Sequence, residues 1–223
     1  MRFDSNIFET VAVGTFHKCA LLSLSHLKCG ENHVIFSGGT SGVIYASNLT
    51  SFLSKSPTNN NNNNNNNNIH PFVIQPFHSI QAHQCGVNNI QLAVDEQNQY
   101  WLVSVGDDQK LFVCKFSLDV INGNEVKLVE KFSKSVLASN ASLTSLFVSQ
   151  NRFIFCCGIE QRLSIWKVED SEKCLQLVFN CIVDVPDVSS ISVHEQSNHQ
   201  KVSKFTIFIG GNGLQIVELN LKN

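Results

Sequence analysis

The stretch "AHQCGVNNIQLAVDEQNQYWLVSVGDDQKLFVCKF", residues 82–116, decides the fold. It holds three short runs in which apolar residues alternate or cluster: "VNNIQLAV", "YWLVSVG" and "KLFVCKF". Each is strand length, rich in Val, Leu, Ile and Phe, and bounded by Gly, Asn or Asp. Three strands joined by polar turns make a sheet with an apolar face that nothing within the stretch can cover. Such a unit folds only if it recurs.

It does recur. "VIFSGGTSGVIYAS" at 34–47, "WLVSVGDDQKLFVC" at 101–114 and "FIFCCGIEQRLSIW" at 153–166 share one template. The template is an apolar strand, a small residue, Gly, a polar turn and a second apolar strand. Ser37, Ser104 and Cys156 fall at one position; Thr40 or Ser41, Asp108 and Glu160 hold the turn; Ser47, Cys114 and Trp166 end the following strand. A leading strand repeats upstream, in "HKCALLSL" from His17, "HQCGVNNI" from His83, "SNASLTSL" from Ser139 and "DVPDVSSI" from Asp184. Apolar residues sit four and seven positions after each start: Leu21 and Leu24, Val87 and Ile90, Leu143 and Leu146, Val188 and Ile191. A fourth copy closes with "FTIFIGGNGLQIVEL", where the turn is shorter. The starts lie at 17, 83, 139 and 184, and removing the insertion described next brings the first interval to the scale of the others. Four-stranded repeats of about 40–45 residues are propeller blades, which bury their faces only by stacking on neighbours. The expected fold is all-β, about four blades in an incomplete ring, with no convincing helix.

The insertion is "KSPTNNNNNNNNNNIHPFVIQP". Its ten consecutive Asn, Asn59 to Asn68, carry no apolar surface to offset the entropy of ordering them. Pro57, Pro71 and Pro76 flank the tract and keep strands from running into it. A lengthened surface loop adds little closure cost. The expected organisation is a first blade over 1–56, a disordered insertion over 57–77, and three further blades over 78–223.

Composition sets the class. The chain has 223 residues, 43% hydrophobic but only 15% charged, with a formal net charge of −2. That balance gives no global attraction to nucleic acid or to an acidic membrane. The start "MRFDSNIFET" has no apolar core behind a basic end, and no run reaches the ~20 apolar residues of a membrane span. A cytoplasmic location without membrane contact is expected. The eight cysteines, at 19, 29, 85, 114, 156, 157, 174 and 181, contain no pair separated by two to four residues as zinc sites use. His17 and Cys19 form at most half a metal site, and most of the cysteines are expected to be small buried hydrophobes.

With the template in hand, the repeats resemble WD repeats. The dipeptide before the first strand is Ala82-His83, the turn Asp is Asp108, and the terminal Trp is Trp166, followed by Lys167. The resemblance implies a buried His, Ser/Thr, Asp, Trp chain of hydrogen bonds, here drawn from His83, Ser104, Asp108 and Trp166 as structural blade residues. No repeat holds all four: the second lacks the Trp, and the third has Cys156 and no His. A narrower resemblance rests on "HQCGVNNI", "VSVGDDQKLFV", "CGIEQRLSIWKV", "VDVPDVSSISV" and "IGGNGLQIVEL" in that order, over roughly 78–219. They look like the C-terminal end of the large WD-repeat regulatory subunits of the tRNA 2′-O-methyltransferase acting at the anticodon wobble position. The resemblance implies a chain corresponding to a C-terminal part of that family. It also implies a non-catalytic accessory role, with a separate methyltransferase subunit as partner and tRNA engaged through the complex. The alternative is a WD-repeat interaction scaffold in trafficking or signalling.

The remaining chemistry points away from catalysis. Asp107 and Asp108 are adjacent on a tight turn, where carboxylates are ordinarily solvated. Gly210, Gly211 and Gly213 precede "LQIVEL", a strand, whereas a phosphate loop must open a helix. His194 and His199 lie in a polar connection. No catalytic, cofactor-binding or metal-binding residue, no cofactor and no small-molecule substrate is expected. Lys127, Lys131 and Lys134 are the densest cations, interleaved with Glu125 and Glu130, and read as a solvated strand edge or loop.

Overall fold

The computed structural model describes residues 19–53, 74–95, 99–121, 125–149, 152–169, 174–197 and 202–222. His17, His199, Pro57, Pro71 and the Asn59–Asn68 tract lie outside the described residues. The described chain is all-β, with fifteen strands in four antiparallel sheets. The first sheet holds β1 (Leu21–Cys29), β2 (Asn32–Gly39), β3 (Val43–Asn48) and β4 (Pro76–Gln81) in that order. The second holds β5 (Val87–Val94), β6 (Tyr100–Gly106), β7 (Lys110–Ile121) and β8 (Glu125–Leu137). The third holds β9 (Leu143–Val148), β10 (Phe153–Gly158), β11 (Arg162–Glu169) and β12 (Cys174–Ile182). The fourth has three strands: β13 (Ser190–Ser197), β14 (Val202–Gly211) and β15 (Gly213–Lys222).

Two details differ from the sequence reading. One helical turn, α1 (Thr50–Leu53), follows β3. It is too short to show a period, and side-chain hydrogen bonds around Thr50 make it: the Thr50 N–H donates to Asn48 Oδ1 at 2.9 Å, and Thr50 Oγ1 accepts from the His33 N–H at 2.9 Å. The second detail is β4, which follows the insertion yet pairs with β3, Ile44 opposite Ile80 and Val43 opposite Gln81. The first blade therefore draws its outer strand from 76–81.

The sheets stack in chain order. β1 and β2 face β5, β5 and β6 face β9, and β9 and β10 face β13. Three apolar layers fill the gaps. Val34, Phe36 and Ile44 meet Val87, Ile90 and Leu102; Trp101, Val103 and Val113 meet Leu143, Leu146 and Ile154; Phe153, Phe155 and Ile165 meet Val188, Phe205 and Ile207. Alternation along β6 and β10 sends one residue to the preceding blade and the next to the following one, as the strand period of two requires, and in β14 it turns Phe205, Ile207 and Ile209 to the third blade. Phe155 and Phe205 pack edge to face, 5.1 Å between centroids.

One device repeats in all four blades and explains the invariant Gly of the template. The residue after Gly39, Gly106, Gly158 or Gly211 donates its N–H to the carbonyl of the segment leading into the same blade's inner strand. The pairs are Thr40 to Ala20 at 3.0 Å, Asp107 to Gly86 at 3.0 Å, Ile159 to Ser142 at 3.1 Å and Asn212 to Pro186 at 2.8 Å. At each of the four glycines, a Cβ would collide with that same carbonyl. The close approach is what excludes a side chain.

Candidate functional site

The residues singled out by sequence collect in the second blade. His83 lies in the leader into β5, Ser104 on β6 and Asp108 in the turn between β6 and β7. His83 Nδ1 stands 2.8 Å from Asp108 Oδ1, and His83 Nε2 stands 2.8 Å from Ser104 Oγ. An ionised carboxylate only accepts, so Nδ1 carries a proton; in the neutral ring Nε2 then accepts from the Ser104 hydroxyl. Asp108 also accepts from the N–H groups of Gln84, at 3.0 Å, and Lys110, at 3.2 Å. Burial pushes the Asp108 carboxyl up. The His83 hydrogen bond and the two backbone N–H groups outweigh it and hold the carboxyl below its ordinary value. His83 and Ser104 are buried, and the His83 N–H reaches back to Gly42 O at 3.0 Å, so the network also ties the second blade to the first.

Trp166 is not part of this cluster. It sits on β11 in the third blade, and its Nε1 is buried without a hydrogen-bond partner. Its neighbour is Cys156, whose thiol burial and then Cys157 push up to about 12. In the second blade the Trp position is Cys114, also buried, whose thiol burial and then Glu130 push up to about 12. The reading of most cysteines as buried hydrophobes holds for Cys114, Cys156 and Cys157, whereas Cys19, Cys29 and Cys181 are half-buried and Cys85 is exposed.

The third blade builds an equivalent network that the sequence reading missed. Ser139 and Asn140 occupy the places of His83 and Gln84, and Glu160 that of Asp108. Glu160 Oε2 accepts from Ser139 Oγ and from the Asn140 N–H, both at 2.9 Å, and Oε1 accepts from Asn140 Nδ2 at 2.9 Å. The extra methylene of Glu lets the carboxylate reach without the imidazole between. The Asn140 backbone and side chain, then Ser139, bring the Glu160 carboxyl down to about 2 from 4.5. A folded-state value below the unfolded one means that this stability is complete above about pH 4.5 and is lost as pH falls toward 2. Glu160→Gln is therefore expected to flatten the acid limb of a stability–pH curve in that window, measured by urea unfolding at stepped pH. An unchanged acid limb would show that Glu160 contributes nothing there.

The other candidates have structural partners. Asp107 Oδ1 accepts from Asn88 Nδ2 at 2.7 Å, so the two adjacent carboxylates face different groups and do not converge. The segment after Gly213 is a strand, β15. His194 is exposed on β13. Lys127, Lys131 and Lys134 are exposed along β8, the outer strand of the second blade. Among the described residues, no three His, Cys, Asp or Glu side chains converge to hold a metal, and no helix is long and apolar enough to cross a membrane. Gln109 and Gln161 sit at the turn position of Gly42, and all three have positive φ, of 68°, 57° and 78°. Their carbonyls accept from the leader of the next blade, Gln109 from the Ala138 N–H at 3.0 Å and Gln161 from the Val183 N–H at 2.8 Å. These turns are joints between blades as well as exposed loops.

The blades also join through inner-strand side chains. Ser23 Oγ donates to Val87 O at 2.9 Å, Asn88 Nδ2 to Leu143 O at 2.9 Å, and Thr144 Oγ1 to Val188 O. Gln91 makes two bonds across the same gap as Asn88, its Nε2 to Leu146 O and its Oε1 from the Val148 N–H, each at 2.8 Å. Among the described residues, Ser23, Asn88, Gln91 and Thr144 thus fasten neighbouring blades to each other.

Comparison with known proteins agrees with this architecture. No family model matches the chain. Over 232 aligned residues it is 23% identical to the tRNA (34-2'-O)-methyltransferase regulator WDR6 of Homo sapiens, and equally to that of Pongo abelii. The match covers 96% of this chain and 20% of the relative, so the chain spans about a fifth of the length of the curated relatives it matches. Among solved structures it is similar to the RRP9 WD40 repeats, with a TM-score of 0.53 at 10% identity over 91% of this chain and 52% of that one. It is also similar to the Cps50 (Swd1) beta-propeller domain of Myceliophteria_thermophila, with a TM-score of 0.50 at 12% identity over 84% and 48%. The fold is that of the WD40 propeller, present here as an arc of four blades.

Proposed function

We propose that this WD-repeat propeller chain is a non-catalytic scaffold, an accessory subunit for 2′-O-methylation of the ribose at the tRNA wobble position. The observation that carries the reading is the similarity to the methyltransferase regulator along 96% of the chain. The site geometry supports a role without catalysis. His83, Asp107, Asp108 and Glu160, the groups best suited to acid–base work, are each held in hydrogen bonds that fasten a turn to the leader or the inner strand. The methyl transfer then belongs to a separate methyltransferase subunit, and the rigid blade stack supplies a docking surface that orients enzyme and anticodon loop. Orientation of reactants alone can lower a barrier by roughly 7–11 kcal/mol in the best cases. The cations on β8 alternate with Glu125 and Glu130, which favours tRNA contact through the complex over strong binding by this chain alone. A cytoplasmic site of action fits this role. The organisation proposed is a first blade over 1–56 with its outer strand from 76–81, the Asn-rich insertion, and three further blades to 223.

A second reading, an interaction scaffold for another assembly, is favoured by the fold neighbours, which carry the same architecture under other names. Tagged protein purified from its own cells separates the two. A methyltransferase subunit is expected to co-purify, and the purified chain alone is expected to methylate no tRNA when given methyl donor. Methylation by the chain alone would overturn the non-catalytic assignment; recovery of a different assembly without a methyltransferase would favour the second reading.

A further inference from the structure

We propose that the groove between the outer strands of the second and third blades binds an aromatic side chain of a partner protein. The inference rests on the scaffold reading for the presence of a partner and names the chemistry that partner brings. Two joints of the arc are built on equivalent positions and differ at this point. Where the first blade meets the second, Phe112 stands opposite Ser104, and His83 packs on it edge to face, 6.3 Å between centroids. Both rings are buried. Where the second blade meets the third, the same two positions hold Ser164, opposite Cys156, and Ser139. Two rings give way to two hydroxymethyl groups. Neither the longer Glu160 nor Trp166, which stands where the second blade has Cys114, fills the difference: a groove of about 330 Å³ lies open there.

Ser164 and Trp166 form the floor and are 2% and 8% exposed. Among the described residues no hydrogen bond engages the Ser164 hydroxyl. A buried hydroxyl left without a partner is costly, so the floor calls for a polar atom brought from outside. Leu137 and Leu177 stand at the rim, 64% and 44% exposed, and give the groove apolar sides. At one end Arg162 Nε lies 3.7 Å from Glu160 Oε1, and Arg162 Nη1 donates to Asn180 Oδ1 at 2.7 Å. Both blades lie inside the arc, and the residues lining the groove are all described ones.

These features select a flat group with apolar faces and one polar edge. A tyrosine ring has that form: its faces pack between the two leucines and over the indole, and its hydroxyl reaches the Ser164 hydroxyl, as the His83 ring edge reaches Ser104 in the second blade. The charges of Glu160 and Arg162 offset each other, which favours a neutral ring over an ion. They also favour protein over nucleic acid. The cation at the groove is already paired and the chain carries a formal net charge of −2, so nothing there balances a phosphate backbone.

The test is a titration of the full 223-residue chain, labelled with nitrogen-15, with N-acetyltyrosinamide as the probe. The chain has two tryptophans, and Trp101→Phe tells their indole N–H signals apart. The Trp166 signal should move saturably at millimolar probe, and the Trp101 signal should stay. N-acetylleucinamide should bind about fivefold more weakly, since it lacks the ring that packs on the indole. Ser164→Phe puts back the ring of the earlier joint and should abolish the response with β circular dichroism retained. Leu137→Glu with Leu177→Glu alters only the exposed rim and should weaken the response at an unchanged urea midpoint. A Trp166 signal that does not move, an equal response to the leucine probe, or a full response in the folded variants would each overturn the proposal. A stronger response to adenosine would make RNA the source of the ring and overturn it as well. The titration needs no methyltransferase, so a silent groove would strike this inference and leave the scaffold reading standing.

Discussion

Asp108→Ala is expected to destabilise the chain by more than the ~1–3 kcal/mol that leaving one buried donor unsatisfied costs. The loss exceeds that of one hydrogen bond because three donors lose their acceptor together: His83 Nδ1, the Gln84 N–H and the Lys110 N–H. His83 and Ser104 remain buried, and the imidazole keeps only its Ser104 partner. Asp107→Ala, one residue away, removes a carboxylate whose partner is Asn88 at the surface, and should cost about 1 kcal/mol or less. Urea midpoints at constant slope measure both. The effects of His83→Ala and Asp108→Ala should also be far from additive, because each removes the same interaction. Equal losses at 107 and 108, or additive losses at 83 and 108, would show that the buried network does not fasten the blade.

The recurrence of strand, Gly, turn and strand was legible in the sequence because blade geometry constrains it at short range. A Cβ at Gly106 or Gly158 meets a carbonyl of the leader, so the position admits nothing else, and the template survives even where its neighbours change. His83, Ser104 and Asp108 were legible through the resemblance to WD repeats, which implies a buried chain of hydrogen bonds at those positions. The third blade's network was obscured by substitution. Glu160 does the work of Asp108 through a longer side chain, and Ser139 with Asn140 replaces an imidazole, so no single residue type marks it. The signal was the alignment of 139–140 with 83–84. The outer strand of the first blade was harder to see, because β4 pairs with β3 across the insertion and no turn residue announces the join. The contacts between blades, such as Thr144 to Val188 and Gln91 to Leu146, depend on how sheets stack and leave no local pattern. The left-handed conformation of Gln109 and Gln161 was not read from the sequence, because only Gly42 among the three equivalent turn residues is of a type that marks it.

The largest functional effect expected is on the tRNA itself. A scaffold that docks the methyltransferase and seats the anticodon loop supplies orientation, and the enzyme without it should lose most of its rate at that one position. Variants that loosen the blades, such as Asp108→Ala, should lower methylation in step with the loss of folded protein. Variants on the exposed surface of β8, such as Lys127→Glu with Lys131→Glu, should lower it without changing stability if the outer edge of the second blade faces the partner or the tRNA. The central claim is tested most directly by mapping ribose methylation at the wobble position in tRNA from cells that lack this gene. The scaffold reading predicts loss of the 2′-O-methyl group there, with methylation elsewhere in the tRNA retained and restored at the wobble position by the wild-type chain. Unchanged methylation at the wobble position would contradict it.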